Sequence, residues 1–448
     1  MSCIKTNCFS LIVVMLGVLS IPVPYAGGEP TAQPGSDYQQ GFPKQISGDI
    51  YGQIQTVDLD GDKKKELIFG ATDGCIHVYN YNGTARRMMG VWPRHTGGPI
   101  MAPVTVSDID DNGTPEVLAG SFDGKVYALS KEGKLLWKYN TGGSITLAAP
   151  VAQDMNNDGK QEIVVASHSK KLSLLNKDGA LQWEHRATST LSGTPSLGDL
   201  NGDGRKDIVI RSDAGWVEVV THTGAKIKGW PLPVGGPSGF YPFLPLVDDI
   251  DGNGEREILV GSPATQGLAL LSKNGHIKNN FPVKGEIHDQ VRVSDMNGDG
   301  FPDLVYGLSD GKLDVVDLRK TLARTDGKKV SFPGWPKKVG DHIYGTPQVA
   351  DIDGNGKPDI VFTSWNSTGE GLDTGTLGVV NLQGDAVEGF PKKVGKTFGR
   401  VTLADLDGDG DIEIICPGGI GYTGPQLHVF DCPGKVPLRM AIMVKEFK

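Results

Sequence analysis

The sequence predicts an all-β fold, an eight-bladed β-propeller with four antiparallel strands per blade and a ring closed by an N-terminal strand in the last blade. Three observations predict it. An acidic loop recurs eight times at steps of 45 to 56 residues. Short alternating apolar runs bounded by Gly, Asn and Asp flank each loop, the signal of strands and hairpins. Glycine, at 63 of 448 residues, stands about twice its usual share without a collagen period, which requires many tight turns. No helical period of useful length interrupts this pattern.

Each unit has the same internal order. A first run enters the acidic loop, as in Gln348-Val-Ala-Asp351, and a second leaves it, as in Asp359-Ile-Val-Phe362. A Gly turn leads to a third, such as Lys125-Val-Tyr-Ala-Leu129, and another to a fourth that carries an aromatic, such as Leu135-Leu-Trp137. These aromatics count the blades: Trp92, Trp137, Trp183, Trp230, Phe281, Trp335 and Phe390, with Phe42 ahead of the first loop. The eighth unit reads Lys435-Val-Pro437 where its own aromatic is due. Phe42 therefore supplies the outer strand of the last blade, which hides two sheet edges. Six of the eight aromatics precede proline, which suits an outer strand because proline offers no N–H to a neighbour. Packing between blades is the expected role of the set.

The acidic loops place oxygen ligands at positions 1, 3, 5 and 9. The sets are Asp58, Asp60, Asp62 and Glu66; Asp108, Asp110, Asn112 and Glu116; Asp154, Asn156, Asp158 and Glu162; and Asp199, Asn201, Asp203 and Asp207. Further along come Asp249, Asp251, Asn253 and Glu257; Asp295, Asn297, Asp299 and Asp303; Asp351, Asp353, Asn355 and Asp359; and Asp405, Asp407, Asp409 and Glu413. Such a turn wraps a hard cation that wants six to eight oxygens, so up to eight structural Ca²⁺ are expected. These positions hold 26 of the 53 acidic residues, a concentration that repels itself without a counter-ion. An EF-hand is excluded, because position 12 runs from Phe69 to Cys416 and is never Glu, and the flanks are strands. The first loop departs by carrying Lys63 where the others have Gly. One such loop is no more than a polar turn; eight in register carry the argument.

A net charge of −9 excludes a general nucleic-acid binder. Lys5, an apolar run from Phe9 to Ile21 and small residues at Ala26 to Gly28 read as a signal peptide over 1–26. That run is shorter than the ~18 residues a membrane-spanning helix needs. A linker over 27–40 and a single propeller over 41–448 follow, with the tail 432–448 unassigned because Met440-Ala-Ile-Met-Val444 could compete with the Phe42 segment. Cys75, Cys416 and Cys432 remain after export, and no disulfide is expected. The expected product is a monomer that is secreted, periplasmic or held at the cell surface.

Gly345-Thr-Pro-Gln-Val-Ala-Asp-Ile-Asp-Gly-Asn-Gly-Lys-Pro-Asp-Ile-Val361 and the matching segment from Gly193 to Val209 resemble the FG-GAP repeat family, also described as VCBS or integrin α N-terminal-like. The resemblance covers about residues 41–431. It implies a propeller whose inter-strand loops hold structural calcium. It leaves the ligand open, since the family includes adhesion receptors, lectins and lyase propellers. Integrin-type members have seven blades, whereas this chain counts eight. A second likeness, Gly124-Lys-Val-Tyr-Ala-Leu129 with Gly133-Lys-Leu-Leu-Trp137, is to the PQQ-type propeller repeat, without that family's adjacent Cys-Cys pair.

The acidic loops lie on one face, so recognition is expected on the other, at the loops entering strand one and joining strands two and three. Seven residues before each first ligand stand Tyr51, Met101, Leu147, Ser192, Pro242, His288, Tyr344 and Phe398. Five before stand Gln53, Pro103, Ala149, Thr194, Leu244, Gln290, Thr346 and Arg400. Blades one, six, seven and eight thus carry aromatics and hydrogen-bonding groups. Trp365 in the long 364–374 loop, Tyr422, and the run Phe240-Tyr241-Pro-Phe243 add aromatics expected to be exposed. The ligand-binding candidates are Tyr51, His288, Tyr344, Trp365, Phe398, Arg400 and Tyr422. Filling the funnel is the structural alternative for the same rings. No nucleophile motif, metalloprotease motif or phosphate loop is present, and no catalytic residue is assigned. The expected function is a non-catalytic binding or adhesion module for an extracellular glycan or protein. One alternative is a rhamnogalacturonan-type polysaccharide lyase using His288, Arg292 and Arg400. The other is an envelope assembly scaffold with quinoprotein-like repeats.

Overall fold

A computed structural model describes residues 38–86, 91–235, 243–262, 267–366, 374–419 and 424–432. The expected signal peptide, most of the linker, Tyr422 and the tail after Cys432 lie outside the described residues. The chain forms eight four-stranded antiparallel sheets, and each sheet is one repeat unit. Blade 1 shows the plan, with β2 (Gln55–Val57), β3 (Glu66–Gly70), β4 (Cys75–Tyr79) and β5 (Arg94–His95) paired in sequence order. The second strand is buried throughout in most blades, as Glu66–Gly70 and Ile412–Gly418 show, because it is covered on both faces by neighbouring blades.

Ring closure follows the sequence expectation. Blade 8 consists of β30 (Thr402–Ala404), β31 (Ile412–Gly418) and β32 (Gln426–Cys432), and its fourth strand is β1 (Lys44–Gln45). Lys44 pairs with Leu427 and Gln45 with Gln426. Phe42, 1% exposed, anchors this strand in a cluster with Ile46, Ile54, Leu427 and Val429. Tyr38 extends the closure by bridging to Phe430 and by a 3.0 Å contact between its hydroxyl and His428 Nδ1.

The outer-strand aromatics join each blade to the next. The indole N–H of Trp92 donates to Lys131 O at 3.2 Å, Trp137 to Lys177 O at 2.8 Å, and Trp183 to His222 O at 2.9 Å. Trp230 and Trp335 repeat the contact at 3.1 and 2.7 Å. The ring lies on the Gly of the hairpin it reaches: a Cβ on Gly179, where φ is +76°, would stand 2.5 Å from Trp137. Only glycine permits both that backbone and that approach. Around the channel, inner-strand side chains reach the next blade's backbone. Thr105 Oγ1 donates to Pro150 O at 2.5 Å, Ser196 Oγ to Pro245 O, and Thr402 Oγ1 to Ile54 O across the closure at 2.8 Å.

One local expectation is corrected. A five-residue helix, α1 (Leu318–Leu322), stands in the long connection of blade 6, where Asp317 caps its start by accepting the Lys320 N–H at 2.8 Å. It is too short to leave a periodicity in the sequence. Cys75, Cys416 and Cys432 are all free and buried, in accord with the expectation of no disulfide. Among the described residues no helix is long and apolar enough to cross a membrane.

Closure gives a measurable prediction. Phe42→Ala leaves a cavity at the seam and is expected to cost about 3–5 kcal/mol in urea unfolding. His428 gives a second. Burial pushes its pKa down to about 4. A depressed imidazole loses stability as pH falls from its unfolded value near 6.5 through 4, because the unfolded chain binds the proton first. His428→Leu should remove roughly 3 kcal/mol of that acid-limb dependence in pH-resolved unfolding.

Candidate functional site

On one face, each strand one to strand two turn folds around its acidic positions. The position-nine carboxylate is buried and accepts the N–H of position two in every blade. Glu66 takes the Leu59 N–H at 2.8 Å, Asp207 the Leu200 N–H at 3.0 Å and Asp359 the Ile352 N–H at 3.0 Å. The first Asp accepts the N–H of position six, as Gly113 to Asp108 at 2.7 Å and Gly356 to Asp351 at 2.7 Å. Lys63 does the same toward Asp58 at 2.9 Å from a left-handed backbone, φ +72°. The first loop thus keeps the shared geometry at a backbone cost of about 1–2 kcal/mol.

Burial pushes the position-nine carboxyls upward, Asp207 and Asp359 to about 6, Asp303 to about 7 and Glu413 to about 8. Neighbouring Asp charges add to the shift. Asp251 Oδ1, Asp359 Oδ1 and Glu413 Oε1 are buried oxygens without a hydrogen-bond partner. In the loops of blades 1, 2, 5 and 7, one carboxylate oxygen from each of three acids lies within 4.8 Å of the others. An all-oxygen donor set with orphaned buried atoms fits a hard divalent cation.

In two loops a side-chain cation of the chain bridges two of the acids, whereas in blade 6 Arg319 Nη1 lies 3.7 Å from Asp299 alone. In blade 1, Arg86 Nη2 lies 2.8 Å from Asp60 Oδ2 and Nη1 lies 3.1 Å from Glu66 Oε2. In blade 5, Lys278 Nζ pairs with Asp251 Oδ2 and lies 2.9 Å from Glu257 Oε1. Neither was legible from the acidic positions, because each cation comes from beyond the third strand of its blade.

The opposite mouth of the channel gathers the residues singled out by position. Tyr51, Met101, Pro103, Leu147, Leu244, Asp289, Tyr344, Phe398 and Arg400 line it. The apolar members come from blades 2, 3 and 5. The rings come from blades 1, 6, 7 and 8. Tyr51 stacks on Phe398 with centroids 5.8 Å apart, His288 on Tyr344 at 4.7 Å, and Tyr344 meets Phe398 edge-on at 5.0 Å. Tyr51, His288, Tyr344 and Phe398 are all half-buried.

Three expectations change here. Trp365 belongs to a strand, β27 (Asp359–Asn366), and is 9% exposed. The hairpin runs further than its polar sequence suggested, pairing Trp365 with Gly375. Its indole stacks on His342 at 4.2 Å and carries Lys396 Nζ 4.0 Å from its centroid, so it supports the mouth from beneath. Phe243 is 3% exposed and fills blade 5, while Phe240 and Tyr241 lie outside the described residues. Arg400 is engaged: Nε donates to Asp289 Oδ2 at 2.6 Å and Nη2 to Asp289 Oδ1. Thr346 adds its N–H at 3.0 Å and its hydroxyl at 2.7 Å to the same carboxylate. Arg292 is likewise occupied, by Gln348 Oε1 and by Pro347 O at 3.5 Å.

Asp289, His342 and Lys396 were missed. Asp289 had a signal, for it stands six before its first ligand, where Gly52, Ala102, Ala148, Gly193, Gly345 and Gly399 occupy the other blades except blade 5. An acid at a position of small residues is the departure.

The family follows from sequence matches to these same turns. The model of the FG-GAP-like repeat matches residues 154–210 and 295–362, each spanning two acidic loops and ending in the second strand after the later one. The chain is a propeller of FG-GAP-like repeats. The model of the lambda-carrageenase β-propeller domain matches residues 86–151 of this FG-GAP-like propeller. A search of curated proteins finds no significant match. BamB from Moraxella catarrhalis is similar in structure at 15% identity and a TM-score of 0.54, over 88% of this chain and 98% of that one. The computationally designed Ika8 protein matches at 15% identity and a TM-score of 0.57, over 88% and 99%. Both likenesses are to the fold.

The Asp289–Arg400 pair gives a test of the mouth. Arg400→Met strands a carboxylate that is 8% exposed and is expected to cost about 3–5 kcal/mol. Adding Asp289→Asn should restore most of it, read as a double-mutant cycle in urea.

Proposed function

We propose that this propeller is an exported, calcium-stabilised, non-catalytic module that binds a glycan at the aromatic mouth. The observation that carries the reading is the group of half-buried rings, Tyr51, His288, Tyr344 and Phe398, set around the Asp289–Arg400 pair. Flat apolar faces beside fixed charged donors and acceptors match a sugar, which has one apolar face and a hydroxyl rim. The likeness of residues 86–151 to a lambda-carrageenase propeller domain supports the same ligand class. The lyase alternative is disfavoured because Arg292 and Arg400 are both held by internal partners, leaving neither to stabilise a developing charge.

Calcium is proposed for six loops, those of blades 2, 3, 4, 6, 7 and 8, with Arg86 and Lys278 replacing it in blades 1 and 5. The ion would hold the turns on the acidic face. The opposite face recognises.

Mature protein with calcium is expected to be retarded in gels containing a soluble polysaccharide from a panel that includes acidic pectins and sulfated galactans. Absorbance from unsaturated products should stay flat. Tyr344→Ala or Tyr51→Ala should weaken that binding about tenfold, a hot-spot loss near 1.4 kcal/mol, with the melting temperature unchanged. A rise in absorbance would make the protein a lyase. An absence of retardation throughout the panel would move the ligand to the protein class.

Calorimetry should find six calcium sites, and chelator should lower the melting temperature sharply. Each site adds about 2.7 kcal/mol when free calcium stands 100-fold above its Kd. Lys278→Gln and Arg86→Gln are each expected to add one ion to the count. An unchanged melt in chelator would remove calcium from the reading.

A further inference from the structure

Blade 1 differs from its neighbours at the hairpin joining its second and third strands. In blade 2 that hairpin carries Asp123, Lys125 and Tyr127, and the acid is satisfied by Lys125 Nζ at 2.8 Å and the Tyr127 hydroxyl at 2.6 Å. The same positions in blade 1 are Asp73, Cys75 and His77. Alternation along β4 puts Cys75 and His77 on one side of the strand. Antiparallel pairing with β5 then sets His95 directly opposite Cys75.

Three of the donors converge, and His95 meets one of them. Asp73, Cys75 and His77 each offer a ligand atom within 4.8 Å of the other two. His95 Nδ1 lies 3.1 Å from Cys75 Sγ, and His77 Nε2 lies 2.9 Å from Asp73 Oδ2. Asp73 is oriented by the Cys75 N–H at 2.9 Å and by Ser47 Oγ. His77 is held against Phe69, ring centroids 5.3 Å apart. Cys75 is 3% exposed while His95 is at the surface, so the cluster has a packed floor and an open side.

A hydrogen-bonded cluster accounts for Asp73 and His77 but poorly for a thiol, a weak donor and weak acceptor, placed against an imidazole. A thiolate, two imidazoles and one carboxylate form instead the donor set that zinc-class ions select. It is chemically distinct from the all-oxygen loops of the other face. Orienting contacts to the ligands and a route from solvent complete the requirements of such a site.

We propose that Asp73, Cys75, His77 and His95 bind one zinc-class divalent transition metal. The Asp49 N–H donates to Thr72 Oγ1 at 2.9 Å and ties the hairpin to the segment that leads two residues later to Tyr51. The metal fixes that hairpin against the segment.

The test uses cobalt as the probe, added to chelator-stripped full-length protein held in excess calcium. The expected result is a near-ultraviolet thiolate-to-cobalt absorption band with tetrahedral visible bands, both lost on adding one equivalent of zinc. Cys75→Ser should abolish the near-ultraviolet band. His95→Ala and His77→Ala should each raise the cobalt Kd at least about tenfold, since even an outer partner of a ligand is worth that much. A wild-type protein without the band, or a band that survives Cys75→Ser, would overturn the proposal. Where a variant fails to fold, alkylation of Cys75 in the wild-type protein, followed by peptide mapping, decides. Zinc should protect Cys75 at least tenfold, and equal rates with and without zinc would overturn the site.

Discussion

In every blade a buried carboxylate at the end of the acidic loop holds the turn by accepting the N–H of position two, from Glu66 in the first blade to Glu413 in the last. That contact sets where strand one ends and strand two begins. It also takes a charge out of water, and burial alone would drive it toward protonation, as the upward shift to about 8 at Glu413 shows. A positive partner keeps such a carboxylate ionised. Arg86 and Lys278 show two solutions within the chain, and an oxygen-seeking cation supplies the same charge elsewhere on our reading.

With one face committed to these turns, the other is free to vary. Blade-to-blade contacts there are made by backbone and small side chains, as where Thr194 Oγ1 accepts the Ala149 N–H at 2.9 Å. Departures from the repeat then stand out as chemistry. Asp289 replaces a small residue and captures Arg400 and Thr346. Cys75 and His77 replace the Lys and Tyr of blade 2. Both departures face away from the acidic loops and occupy positions the fold itself does not need.

Much of this was legible in the sequence because a propeller is a short-range pattern repeated. The acidic positions, the alternation and the single outer aromatic all fall within one unit, so Phe42 could be assigned to the last blade by counting alone. The mouth was partly legible for the same reason: Tyr51, Tyr344, Phe398 and Arg400 were found by their common offset from the first ligand. Trp365 was misjudged because Ser364, Asn366 and the Thr-Gly-Thr opposite look like loop residues, although the backbone ladder continues through them. His342 and Lys396 had no positional signature. They matter only because they meet Trp365 in space.

The sequence by itself determined the number of blades, their order, the seam and the identity of every acidic position, since all of these follow from local period and residue type. Tertiary structure decided which charges meet. Arg86 reaches its acidic loop from the connection between β4 and β5, and Lys278 from the fourth strand of blade 5. Arg400 meets Asp289 across 111 residues, and Cys75 meets His95 only because β4 and β5 pair in that register. Electrostatic and coordination chemistry depends on distances of about 3 Å between side chains, and such distances are set by packing rather than by spacing along the chain.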